Sequence, residues 1–168
     1  MTVDLKQKRK FIAEFGLEIF DYLTGLSQDI RVDNEERTGI QIFGKVAGTK
    51  NVVTVAVRDP SEETRVFAIE QAVRTECFMH KTSQDSEDIK HNQLAGSVSM
   101  YFKNQDIHLS VCGLKPEENV ALAIILLAKI LEVSINEVIY DIQQDGGKLP
   151  DEILQEDHYL KVLLDKYR

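Results

Sequence analysis

The 168-residue chain has no Trp, two Cys, three Pro and nine Gly. Two cysteines cannot build the disulfide framework of a small secreted scaffold, so both thiols are read as reduced and the expected location as cytoplasmic. So few Pro and Gly exclude a collagen-like or low-complexity chain. Excess positive charge is missing as well, because 20 Lys+Arg stand against 28 Asp+Glu for a formal net charge of -8. A binder held by phosphate contacts needs a basic face, so nucleic acid is excluded as a partner. Long hydrophobic runs are absent too. The most apolar stretch, VALAIILLAKIL at 120–131, falls short of the roughly 20 residues that span a bilayer. Residues 11–26 are interrupted by Glu14, Glu18 and Asp21, which excludes a signal-peptide core. No membrane span is expected.

What is present is periodic. Residues 5–27 place Phe11, Ile12, Phe15, Ile19, Tyr22, Leu23 and Leu26 at helical spacing. The segments 39–46 (GIQIFGKV) and 51–57 (NVVTVAV) are rich in β-branched residues, and Ala47-Gly48-Thr49-Lys50 between them completes a hairpin signal. Asp59-Pro60 stops the second strand, and Ser61 with Glu62 and Glu63 suits a helix start. That helix carries Val66, Phe67, Ile69, Ala72, Val73 and Phe78, and a polar loop is expected over 81–93. A second strand pair follows at 94–102 and 107–112, with 103–106 as its turn. Pro116, Glu117 and Glu118 open a helix over 117–131 that is apolar nearly all round. Ser134-Ile-Asn-Glu137 is a capping box for a helix over 135–144, and Pro150-Asp151 opens a last amphipathic helix ending at Arg168. The order α–ββ–α–ββ–α plus C-terminal helices predicts an α+β fold with an antiparallel sheet of four or five strands flanked by helices. One domain over 1–168 is expected, with a sheet-and-helix core at 1–133 and a helical extension at 134–168.

No constellation in the sequence supports catalysis. Cys77 and His80 lie three apart on the expected helix and could share a metal or a haem iron. A structural zinc site needs a second pair, which is missing, so the plainer reading is a buried thiol beside a rim histidine. His91 reads as an exposed loop residue that could fold back towards His80, and His108, between Ile107 and Leu109, as a solvent-side strand residue that could instead line a groove beneath the helices. Cys112 has no nucleophile motif around it and reads as a small core residue. Glu117 and Glu118 complement the helix dipole, and Arg58-Asp59 reads as a strand-end ion pair. Lys6, Lys8, Arg9 and Lys10 form the one basic cluster, either a solvated helix start or a meeting point for an acidic partner or membrane surface.

From Val66 the chain runs VFAIEQAVRTECFMHK and, after the loop, LAGSVSMYFKNQDIHLSVCGLKPEENVALAIILLAK. These stretches resemble the core of the GlcG/HbpS-like family of haem-binding or small-molecule-associated proteins. Ala68, Ala72 and Thr75 fall where the family's helix carries small residues and a Thr. Gly96 leads the next strand, with Ser97 where the family carries a second glycine. Ser110-Val-Cys-Gly113 ends the following strand, and Glu117-Glu118-Asn119 opens the helix. The resemblance implies a profilin-like sheet and a non-catalytic, sensory or accessory protein that binds a small molecule. Its ligand-binding residues would be Thr75, His80, Gly96, Ser97 and Gly113, with haem left open as the cofactor. The element order also resembles roadblock- and longin-type adaptors, which implies a protein partner docked on the first or last helix. A homo-oligomer is expected from helix 117–131, whose apolar residues exceed what one sheet face can cover.

Overall fold

Alternation in the strands sets the architecture. In the computed structural model, which describes residues 2–26, 37–88, 90, 93 and 95–168, helix α1 (Arg9–Gly25) leads to strands β1 (Gly39–Val46) and β2 (Val52–Arg58). Helix α2 (Glu62–Cys77) and a 3-10 turn (Ser83–Ser86) precede strands β3 (Ser97–Phe102) and β4 (Gln105–Cys112). Helices α3 (Pro116–Leu131), α4 (Ile135–Gln144), α5 (Asp151–Leu154) and α6 (Tyr159–Tyr167) complete the chain. The four strands form one antiparallel sheet in the order β2-β1-β4-β3. The fold is α+β, as the order of elements predicts. His91 and Leu94, read from sequence as loop and strand start, lie outside the described residues.

One face of the sheet is apolar. Ile40, Ile42, Val98, Ile107, Leu109 and Val111 are all fully buried and share a core with α3. Each such side chain contributes about 1.5–3 kcal/mol of transfer free energy. Helix α3 packs against β3 and β4 on one side and against α1, α4 and α6 on the other. Its covering therefore comes from the chain itself, and its apolar circumference no longer argues for a second subunit. Within this layer sits one buried charge: Glu118 accepts two hydrogen bonds from Arg37 (2.9 and 3.0 Å) and one from Tyr159 Oη (2.8 Å). Glu118 thus does more than complement the helix dipole. An ion pair this deep is tolerated because its oxygens are hydrogen-bonded.

Two local expectations are corrected. The second hairpin turn is tighter than four residues, because Lys103 and Asn104 both adopt left-handed φ (+49° and +61°) and β4 begins at Gln105. Such a two-residue turn matches the twist of the flanking strands. The last helix is divided, since His158 Nδ1 accepts from Leu160 N–H (3.3 Å) and caps α6 as a fresh helix start.

Candidate functional site

The opposite face of the sheet is polar. Strand period puts Gln41 of β1, Ser97 and Ser99 of β3, and His108, Ser110 and Cys112 of β4 on that side, and all six are buried. Helix α2 covers them, so His108 lies beneath a helix, the second of the two places its sequence position allowed, and not on the solvent side. It is 4% exposed.

The helix does this with an inverted pattern. Its buried residues are Thr64, Ala68, Gln71, Ala72, Arg74 and Thr75, while Val66 is 65% and Val73 39% exposed. Small residues let the helix approach the strands closely. Ser110 Oγ donates to the Ala68 carbonyl, and Gln71 Nε2 donates to the Ala95 carbonyl at 3.4 Å. At Gly96 an added Cβ would stand 2.4 Å from Val111 O and 2.5 Å from Gln71 Oε1, so only glycine fits.

The seam so formed brings together most of the residues singled out in the sequence. Thr75 Oγ1 donates to the Gln71 carbonyl (2.7 Å), and Gln71 in turn lies against Gly96. The amides of Gly96 and Ser97 both donate to Ser83 Oγ at 2.9 Å. His80 lies past the helix end, at the rim, where its carbonyl accepts from Ser99 Oγ (3.1 Å) and its ring tilts over Phe78. Gly113 stands apart, at the other end of α2. There its φ of +121°, and the Gly39 carbonyl that a Cβ would strike at 2.4 Å, require glycine.

Several buried polar atoms in and around the seam have no hydrogen-bond partner among the described residues: Gln71 Oε1, Ser97 Oγ, His80 Nδ1 and His108 Nδ1. Leaving such a group unpaired costs about 1–3 kcal/mol. Burial pushes the His108 pKa below the usual imidazole range, against the pull of Glu76 and Asp106 and aided by Lys45 and Lys81. The ring is therefore neutral at neutral pH. Nearby, Lys45 and Glu76 form an ion pair. Burial opposes the charge on Glu76, but hydrogen bonds from Lys45 and the Gly48 amide outweigh it and hold the pKa below normal.

Cys77 and His80 do not form a shared metal face. Helix α2 ends at Cys77, and Met79 takes a left-handed φ of +52° that turns the chain away. Cys77 is exposed, contrary to the buried thiol expected. No group of three or more metal-ligating side chains occurs among the described residues. Burial raises the Cys112 pKa to about 11, which leaves it a thiol and a poor nucleophile. Haem does not fit the seam either: the space beside Gly96 is filled by protein atoms, and its walls are polar where a macrocycle needs an apolar slot.

Beyond the Ser83–Ser86 turn lies a cavity of about 520 Å³, lined by Gln84, Glu87, Glu117, Lys148, Asp151 and Glu152 among others. The turn is shared by seam and cavity, since Glu87 Oε1 accepts from the Ala95 amide at 3.4 Å. Burial raises the Glu117 pKa, and the neighbouring Glu152 and Glu118 add to the effect. Sequence reasoning missed Gln71 and Ser83, and left His108 between the solvent side and a groove beneath the helices. The signal that could have found them is the run of polar residues on one face of both β3 and β4, opposite a helix whose small residues share one side. No family model, curated protein or solved structure matches the chain.

Proposed function

We propose that the protein is a non-catalytic binder of a small, donor-rich polar molecule, such as an amine, held in the acidic cavity that adjoins the seam at the Ser83–Ser86 turn. The observation that carries this reading is the set of carboxylates on the wall of that cavity, Glu87, Glu117, Asp151 and Glu152. A ligand with N–H groups would pair with them. The likeness of 66–81 and 94–129 to GlcG/HbpS-like proteins supports a small-molecule role and leaves the ligand to be named by the site. The test is native mass spectrometry of the full chain with spermidine and with glucosamine, using haemin as the apolar control. The expected result is an amine adduct in wild type that is lost in Glu117→Gln and Glu152→Gln, and no haemin adduct. Absence of every amine adduct, or haemin binding abolished by His80→Ala, would overturn the reading.

A second reading, a protein-protein adaptor, is favoured by the outward apolar residues at α2. Besides Val66 and Val73, Phe78 is 60% and Met79 90% exposed. The surface differs from the first or last helix that sequence indicated.

A further inference from the structure

The two edges of the sheet are treated differently. At β3 the outward amides are capped by the chain itself: Ser99 N–H donates to Lys81 O at 2.7 Å, and Ser97 N–H to Ser83 Oγ at 2.9 Å. At β2 the register leaves a row open. Hydrogen bonds from Val46 N to Asn51 O and from Asp59 N to Thr38 O fix the alternation of the β1–β2 ladder. Residues 53, 55 and 57 then turn their amide groups toward β1, and Thr54 and Ala56 turn theirs away. Among the described residues, no backbone hydrogen bond reaches those outward groups.

Edge strands are normally protected by a charge, a proline or a bulge. Strand β2 reads VVTVAVR and has no such device before Arg58, whose side chain is occupied with Asp21 of α1 (2.7 Å). Alongside this edge runs a groove of about 640 Å³, walled by Val55 and Ala56 and by Lys6, Arg9, Lys10 and Ala13 from the start of α1. Lys6, Arg9 and Lys10 are exposed, and they belong to the one basic cluster of a chain whose net charge is -8.

We infer that the β2 edge is a docking site for an acidic peptide segment of another protein, bound in extended form as a fifth, antiparallel or parallel strand. Its main chain pairs with the outward groups of Thr54 and Ala56, and alternate side chains enter the groove, where Asp or Glu meets Lys6, Arg9 and Lys10. An extended strand is the occupant because a row of backbone donors and acceptors has no use for a helix. An acidic one is favoured because the rim is basic while the rest of the surface is dominated by carboxylates. The inference is independent of the seam under α2.

The test is fluorescence anisotropy with a labelled peptide alternating Glu and Val, and with its counterpart carrying Lys in place of Glu, on the full chain. The acidic peptide should bind and the basic one should not, with affinity falling as salt rises. Lys6→Glu/Arg9→Glu, two surface changes, should weaken binding by about tenfold or more. Ala56→Pro, which removes the central outward amide, should abolish it while circular dichroism stays unchanged. Equal binding of both peptides, or binding indifferent to the charge reversal, would overturn the inference. So would a wild-type dimer in light scattering that Ala56→Pro converts to monomer, because the edge would then belong to a second copy of the chain.

Discussion

On one face of the sheet, Ile42, Val98 and Leu109 pack into a core with Ile124 and Leu126 of α3; on the other, Gln41, Ser97 and His108 meet Ala68, Gln71 and Thr75 of α2. These residues are buried on both sides, yet one side is closed by transfer free energy and the other by hydrogen bonds that remain incomplete. Burial alone therefore does not separate a structural layer from a working one. What separates them is whether the buried groups are all satisfied. The α3 face keeps even its single charge paired, through Arg37 and Tyr159, whereas the α2 face keeps acceptors in reserve.

The contrast can be broken most forcefully on the apolar side. Leu109→Ala should cost about 2–5 kcal/mol, because the cavity it leaves is surrounded by close-packed neighbours. A urea denaturation series reads this directly, and a loss below about 1 kcal/mol would show that the face is not the stabilising layer. Gly96→Ala should cost less, about 1–3 kcal/mol, since the new methyl would collide with the Val111 carbonyl and push Gln71 aside.

At Ser97 the expected sign reverses. Its hydroxyl is fully buried and unpartnered, so Ser97→Ala should leave the unliganded chain unchanged or more stable by up to about 1 kcal/mol. A clear destabilisation in the same urea series would mean the hydroxyl already has a partner. The smallest effect is pH-dependent. The His108 pKa is lowered in the folded chain, so the unfolded chain takes up the proton first as pH falls. This group's stability contribution is complete above about pH 6.5 and is lost progressively below it. Urea midpoints taken between roughly pH 5 and 7.5 should slope less in His108→Gln than in wild type. Identical slopes would remove His108 from the account.

The apolar layer was legible in the sequence because its signals agree with one another. Val98, Met100 and Phe102 alternate, Ser134 and Glu137 form the capping box that the structure contains, and the 120–131 run is too apolar to lie anywhere but inside. Helix α2 was legible as an element but not in its orientation. A periodicity argument sends Val66 and Val73 inward along with Ala72, and the structure buries Ala72 with Ala68 and Thr75 while leaving both valines exposed. The preference is set by the partner surface: a sheet face carrying Ser97, Ser99 and Ser110 accepts small residues at close range and leaves no depth for valine. Thr75, Gly96 and Ser97 were placed by resemblance rather than by pattern, and the structure brings them to one seam. Gln71 was passed over because a single glutamine on a helix carries no signal until its neighbour is known to be a glycine.

Hydrogen exchange followed by mass spectrometry, on the full chain with and without spermidine, tests the difference between the two faces most directly. The account predicts that peptides from α2 and β3 exchange faster than α3 in the free chain, and that peptides covering 83–87 and 148–152 gain protection with the amine while the core of α3 does not change. Equal protection of α2 and α3 in the free chain, with no change on adding the amine, would contradict it.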